Sequence, residues 1–355
     1  MKKIILIALS LSCYLVTYAQ LNATKLIATK GNEYGLTYTL PKTLLTIDIQ
    51  TTKITQKAGQ FYQYAEKYLG ITDAISTTNE HWTIDKIDVW GKGIPDKDNN
   101  TYLIQLKSGN VPYMYLTIDG LLCSINTEPD LTTSSSPQLK LPVASSEDKI
   151  RTTSVLSEEL LMASSTSKMA EIAAKQIYRI RESRLNILTG EAEKMPGDGE
   201  SFKLVISQLD AQEKALTEMF SGTTSQESII RSYTIYPEDD LDNHIVCRFS
   251  KHLGLVDKND LSGTPIYLIL KNTTTENEQN VDFTKEKSKK GIVYNIPGEA
   301  EIKIIYKNEV FSDKVLKIAQ FGTTNVMPSS IFEDKKNPAK VILYPDLGAV
   351  KEIMQ

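Results

Sequence analysis

The chain has 355 residues, a formal net charge of −4 and only three cysteines. A mildly acidic protein with no basic run is not built to bind nucleic acid or an anionic membrane surface, so neither is expected as a partner. No stretch after the first twenty residues reaches eighteen apolar positions, so no transmembrane segment is expected in the mature chain.

The N-terminus reads MKKIILIALSLSCYLVTYAQ. Lys2 and Lys3 precede an apolar run from Ile4 to Val16, too short for a membrane span. Thr17 and Ala19 then place small residues at the −3 and −1 positions before Gln20. This predicts a signal peptide over residues 1–19 and an exported product, periplasmic or at the cell surface. Acylation of Cys13 is the rival reading, but Ser10 stands where a lipoprotein signal wants a large aliphatic residue. Loss of Lys2 and Lys3 would shift the formal charge from −4 to −6.

Residues 20–127 read as an N-terminal β-rich domain with one short helix. Leu36, Tyr38 and Leu40 alternate, as do Leu45, Ile47 and Ile49, and Pro41-Lys42 between them suggests a hairpin turn. In HWTIDKIDVWGKG the apolar phase changes between Ile84 and Ile87, which predicts a bulge near Asp85. Phe61, Tyr64, Ala65 and Tyr68 fall on one helical stripe closed by Gly70. That stripe is expected to pack on the sheet; a sugar-stacking surface is its alternative.

Residues 128–154 are rich in Ser, Thr and Pro and read as a linker. Over 155–222 the period becomes helical. Met169, Ala173, Ile177, Ile180 and Leu188 form one stripe that stops at Gly190. Phe202, Val205, Leu209, Leu216 and Phe220 form a second that stops at Gly222. Residues 223–355 return to strands at a spacing that predicts a β-sandwich-like domain, with a last hairpin turning at Pro345 to Gly348. The fold class is therefore α+β, mostly antiparallel β, with two β-rich domains and an antiparallel helical hairpin between them.

The stretch LTGEAEKMPGDGESF, residues 188–202, looks at first like a ligand loop. It fails as a phosphate loop, because Met195 stands where the second glycine belongs. It fails as a dinucleotide loop, because Phe202 stands at the third glycine and a helix precedes it. Its acids lack calcium-loop spacing. Gly190 as a stop, Pro196 as a breaker and Asp198 or Ser201 as the next cap make it a helical-hairpin loop.

A hairpin folded about Met195 brings Glu213 opposite Ile177. Arg181 lies one turn from that position, so Arg181, slightly ahead of Arg184, is the expected ion-pair partner of Glu213; the alternative is that all three simply face water. Other patterns are weak. Ser165 to Lys168 fits S-x-x-K and Lys107 to Gly109 fits K-S-G, but in the wrong order. His81, His244 and His252 have no metal-ligand spacing, and the acids of Asp239 to Asp242 beside His244 read as a solvated loop. Asp96, Asp98 and Asn100 match the start of an EF-hand, but Thr101 and Lys107 break it. No catalytic, cofactor-binding or metal residue is assigned. For Cys123 and Cys247 two readings stand: small buried hydrophobes, or one disulfide joining the halves.

GQFYQYAEKYLGI, the hairpin with Arg181, Arg184, Asp210, Glu213 and Phe220, and the later AQFGTTNVMPSSIF together resemble the domain-of-unknown-function 4831 family. The resemblance implies an exported protein of Gram-negative bacteria with no assigned activity, and no site residues. The expected function is a non-catalytic binding or scaffolding protein whose partner is an envelope protein or a glycan. The alternative is a carboxylate-based hydrolase of glycan or peptidoglycan, since paired acids need no local motif.

Overall fold

The computed structural model describes residues 23–27, 36–104, 113–129, 157–197, 199–274, 291–332 and 337–354. The signal peptide and most of the linker expected from the sequence lie outside these residues. The chain is α+β, dominated by antiparallel sheet.

The longest early strands are β3 (Pro41–Lys57) and β4 (Asn79–Pro95), paired antiparallel over nearly their whole length. Their register slips once, between Gln50 and Thr51, where Asp85 is the extra residue of a bulge. This is the place where the apolar phase of the sequence changes. On its other side β3 pairs with β8 (Thr223–Ile235), so β3 is the centre of a β4-β3-β8 sheet.

That sheet packs against a five-stranded one. The second sheet runs in the order β10 (Gly254–Val256), β9 (Leu241–Ser250), β11 (Thr264–Asn272), β12 (Gly291–Tyr306), β13 (Glu309–Pro328). Leu45, Ile47, Ile49, Ile87 and Val89 from one side meet Cys247, Ile266, Leu268, Ile302 and Ile304 from the other in one fully buried core. Alternation with a period of two sends these residues inward, and their burial is the main favourable term.

A second core lies at the opposite end of β12 and β13. It gathers Tyr38, Leu40, Met114, Leu122, Ile292, Met327, Val341 and Leu343. Here β2 (Leu36–Thr39) pairs with β5 (Thr101–Ile104). A further sheet runs β1 (Ala23–Ile27), β6 (Tyr113–Thr117), β7 (Leu122–Ile125), β14 (Lys340–Tyr344), β15 (Ala349–Met354).

The two β-rich bodies are therefore divided across the chain and not along it. β3 and β4 supply the layer that the C-terminal strands pack on, and β14 pairs with β7. The boundaries expected at residues 127 and 223 do not separate sheets, because alternation fixes which face is apolar but not which strand is the neighbour. Pro41 also departs from expectation. It opens β3 instead of turning a hairpin, since the first residue of a strand need not donate to the ladder.

Side chains substitute for backbone where the two bodies meet. The Tyr38 hydroxyl donates to Val293 O at 2.9 Å and accepts from Val293 N at 2.8 Å. Gln320 sits in a wide irregularity of β13; its Oε1 accepts from Thr43 N at 2.8 Å and its Nε2 donates to Thr43 O at 2.9 Å. Beside it Gly322 lets β12 and β13 approach so closely that a Cβ there would fall 1.8 Å from Ile296 O. Each pairing satisfies buried peptide groups that would otherwise cost about 1–3 kcal/mol.

The third body is helical. A 3-10 turn (Tyr62–Tyr64) and α1 (Ala65–Leu69) lie between β3 and β4. α2 (Glu158–Leu161), α3 (Thr166–Thr189) and α4 (Gly199–Ser221) precede β8. Phe61 and Ala65 pack with Leu160, Ala173, Ile177, Leu216 and Phe220. The aromatic stripe is thus a core element, but its partner is the helical hairpin and not the sheet. The reason is topological: β3 ends at Lys57 opposite Thr223, so both helical segments leave the sheet at the same end.

The C-terminal hairpin turn docks on the first body through Asp346, whose Oδ1 accepts from Gly93 N at 3.1 Å. Burial raises the Asp346 pKa, with the Gly93 bond and Lys92 opposing. A carboxyl that binds its proton more tightly when folded favours folding below its unfolded pKa, about 3.9, and loses that contribution as pH rises through the folded value. Asp346→Asn should therefore raise Tm at pH 7, with the gain vanishing below about pH 4. A thermal melt series in pH checks this; a lower Tm at pH 7 would mean that the ionised carboxylate earns more from Gly93 than burial costs.

Candidate functional site

The helical hairpin holds the most concentrated charged cluster that the sequence points to. α3 starts where Ser165 Oγ accepts from Lys168 N at 3.3 Å. The serine of the S-x-x-K pattern is thus a helix cap. α3 ends at Gly190 and α4 at Gly222, with φ of +79° and +81°, the left-handed conformation that a Cβ disfavours. The expected stop signals are where the helices stop. Gly190 to Gly197 form the described part of the loop, while Asp198 lies outside the described residues.

Along the hairpin the packing changes from apolar to charged. Ile177 and Leu216 are fully buried, and Ile180 is the last residue of α3 to pack on that core. The next turn carries Arg181, whose Nε donates to Glu213 Oε1 at 2.6 Å. One turn on, Arg184 Nη1 donates to Asp210 Oδ1 at 2.5 Å and stands 2.7 Å from Glu213 Oε2. Glu213 is held between two guanidiniums and its side chain is only 14% exposed. Both Arg181–Glu213 and Arg184–Asp210 centre on residue 197, so the hairpin folds slightly beyond Met195.

Asp210 is the member that sequence reasoning left out of the ion-pair set. Its signal was present: it lies three residues before Glu213, on the same helical face. Hydrogen bonding to Asp210 is also the main reason the Arg184 pKa is raised. The layer extends to α1, because the Arg181 guanidinium lies 5.6 Å from the Tyr178 ring centroid and Tyr178 Oη donates to Tyr68 O at 2.7 Å.

Two arginines and two carboxylates neutralise one another within the layer. The ion pairs join α3 to α4 at matched positions, so the arrangement fixes helix register. Past this layer the two helices and their loop carry exposed apolar side chains. Leu185, Leu188, Met195 and Leu204 are all exposed.

Other carboxylates are similarly engaged. Asp48 and Asp88 stand opposite each other on β3 and β4. Asp48 is 3% exposed and accepts from Trp90 Nε1 at 2.9 Å and Ser232 Oγ at 2.6 Å. Asp88 is bound by Lys314 of β13. Asp85, at the bulge, accepts from Thr52 at 2.6 Å and Thr83 at 3.2 Å. Asp96 accepts from Asn100 Nδ2 at 2.7 Å inside its turn. Asp240 Oδ1 accepts from Asn272 N at 2.7 Å, which ties the acidic stretch before His244 to β11. Among the described residues no group of three or more His, Cys, Asp or Glu is placed to hold a metal ion.

The disulfide reading of Cys123 and Cys247 is corrected. Both thiols are free and buried, Cys123 in β7 and Cys247 in β9, on different sheets. Burial pushes their pKa values up to about 12 and about 11, so both are protonated at neutral pH and poor nucleophiles.

The layer yields a graded prediction. Glu213→Ala leaves two guanidiniums facing one another and should cost about 1–3 kcal/mol, whereas Asp210→Ala, at the exposed end, should cost under about 1 kcal/mol. Chemical denaturation measures both. Equal effects would mean that Glu213 is not the centre of the layer.

No helix among the described residues is long and apolar enough to cross a membrane, which leaves β-barrel spanning untouched. No curated protein and no solved structure matches the chain. One family model does, over residues 34–351, which span the β3–β4 hairpin, the charged helical layer and both β-rich bodies. The chain belongs to the family described as domain of unknown function DUF4831.

Proposed function

We propose that this is a non-catalytic binding or scaffolding protein of the cell envelope, and that the distal half of the helical hairpin is its contact arm. The observation that carries the reading is the exposure of Leu185, Leu188, Met195 and Leu204 beyond the point where the hairpin core ends. Large exposed apolar side chains gathered in one short stretch of a hairpin mark an interaction surface more often than singly scattered ones do. The charged layer supports the same reading. It locks the two helices in register below the tip, so the arm would meet a partner without first paying for its own ordering.

An apolar tip suits a protein partner better than a glycan. The acids Glu191, Glu193 and Glu200 surround it, which argues against an anionic lipid surface. Placement in the envelope rests on the N-terminal signal pattern. The experiment is mild crosslinking in envelope fractions followed by pull-down, comparing the natural chain with a Leu185→Ser, Leu188→Ser, Leu204→Ser variant. Because these side chains are exposed, stability should change little, within about 0.5 kcal/mol per site. The expected result is loss of a crosslinked partner at unchanged stability. Retention of every partner would make the hairpin a structural strut.

A further inference from the structure

The β4-β3-β8 sheet has one guarded edge and one open edge. β4 carries the Asp85 bulge, Lys86 and Lys92, and its Asp88 is bound by Lys314 from β13. β8 has none of these devices. It runs thirteen residues, TTSQESIIRSYTI, without lysine, proline or glycine, and pairs with β3 from Thr223 to Ile235 without a register shift. Among the described residues no strand pairs with its other side. A long, regular strand of this kind exposes a row of backbone donors and acceptors, which folded proteins ordinarily protect.

The charge pattern of β8 says what fits that edge. Its only charged residues are Glu227 and Arg231, both exposed. We propose that β8 pairs antiparallel with β8 of a second copy about a two-fold axis through Ile229. Glu227 of each copy then stands directly opposite Arg231 of the other. The two residues are an even number of positions apart, so they share a face and the same hydrogen-bonding class, and the inner faces of both sheets stay on one side. The alternatives are worse. An axis at Ser228 or Ile230 sets both charges against neutral residues. An axis at Glu227 or Arg231 sets like charges against each other. One register is therefore selected, and a C2 interface is the symmetry such self-complementarity produces.

The pairing joins the two three-stranded sheets, in the order β4-β3-β8 and then the same order reversed. Arg231 is already oriented by its own chain, because Nη1 donates to Leu255 O at 2.9 Å. Tyr233 also hydrogen-bonds this guanidinium, and the fork, with five N–H donors in all, can still donate to a carboxylate. This surface is separate from the hairpin tip, and its test does not depend on the contact-arm reading.

Sedimentation velocity over a concentration series of the purified protein tests the proposal. The natural chain should show a monomer–dimer equilibrium. Glu227→Arg or Arg231→Glu should each weaken the dimer by about tenfold or more, by placing like charges opposite. The double exchange of Glu227→Arg with Arg231→Glu should restore it, and Ile229→Lys, which puts two lysines on the axis, should abolish it. Thermal melts separate loss of pairing from loss of fold; if Arg231→Glu unfolds the chain, Glu227→Arg and Ile229→Lys carry the test. A monomer at all concentrations overturns the proposal. So does a dimer indifferent to these substitutions, which would place the interface elsewhere.

Discussion

The architecture hangs on the return of β8 to β3. Thirteen consecutive residues, Leu45 to Lys57, pair in register with Ile235 to Thr223. Without β8, β3 would be an edge strand, and Asp48 would lose Ser232, one of its two hydrogen-bond donors. The buried Thr46, Thr51 and Thr52 make the same point: polar residues on a strand buried on both faces need neighbours on both sides. Closing this sheet also decides where everything between the two strands must go. The helices leave and re-enter at the Lys57–Thr223 end, so among the described residues α1, α2, α3 and α4 pack on one another in a core of their own.

The helical body was legible because its signals are local. Glycine stops, a serine cap and an apolar stripe with a helical period define α3 and α4 within one element each. The same holds for Arg181 and Glu213, since a two-helix hairpin has only one way to fold and its register follows from its loop. Asp210 was less visible because it lies on the solvent side and its role depends on Arg184, one turn from the pair in question.

Strand positions were legible and strand partners were not. Alternation marks Leu45, Ile47 and Ile49 as core, and the phase change marks Asp85 as a bulge. Nothing local says that β3 pairs with a strand beginning at Thr223, or that the stretches on either side of Pro297-Gly298 form one continuous β12. Side-chain surrogates such as Gln320 against Thr43 are invisible for the same reason, because they join positions hundreds of residues apart. Cys123 and Cys247 could be judged only once their sheets were known.

The pairing of β3 with β8 is open to direct measurement by a designed crosslink. Thr55 and Ser225 are register partners near the exposed end of the sheet. A Thr55→Cys, Ser225→Cys variant should form an intrachain disulfide under mild oxidation, read by peptide mapping. A Thr55→Cys, Gln226→Cys variant should not, because adjacent strand positions face opposite sides. Cys123 and Cys247 are buried and protonated, so they would not compete. Crosslinking of the register pair alone is the predicted result. Equal crosslinking of both variants, or of neither, would contradict the β3–β8 register on which the fold depends.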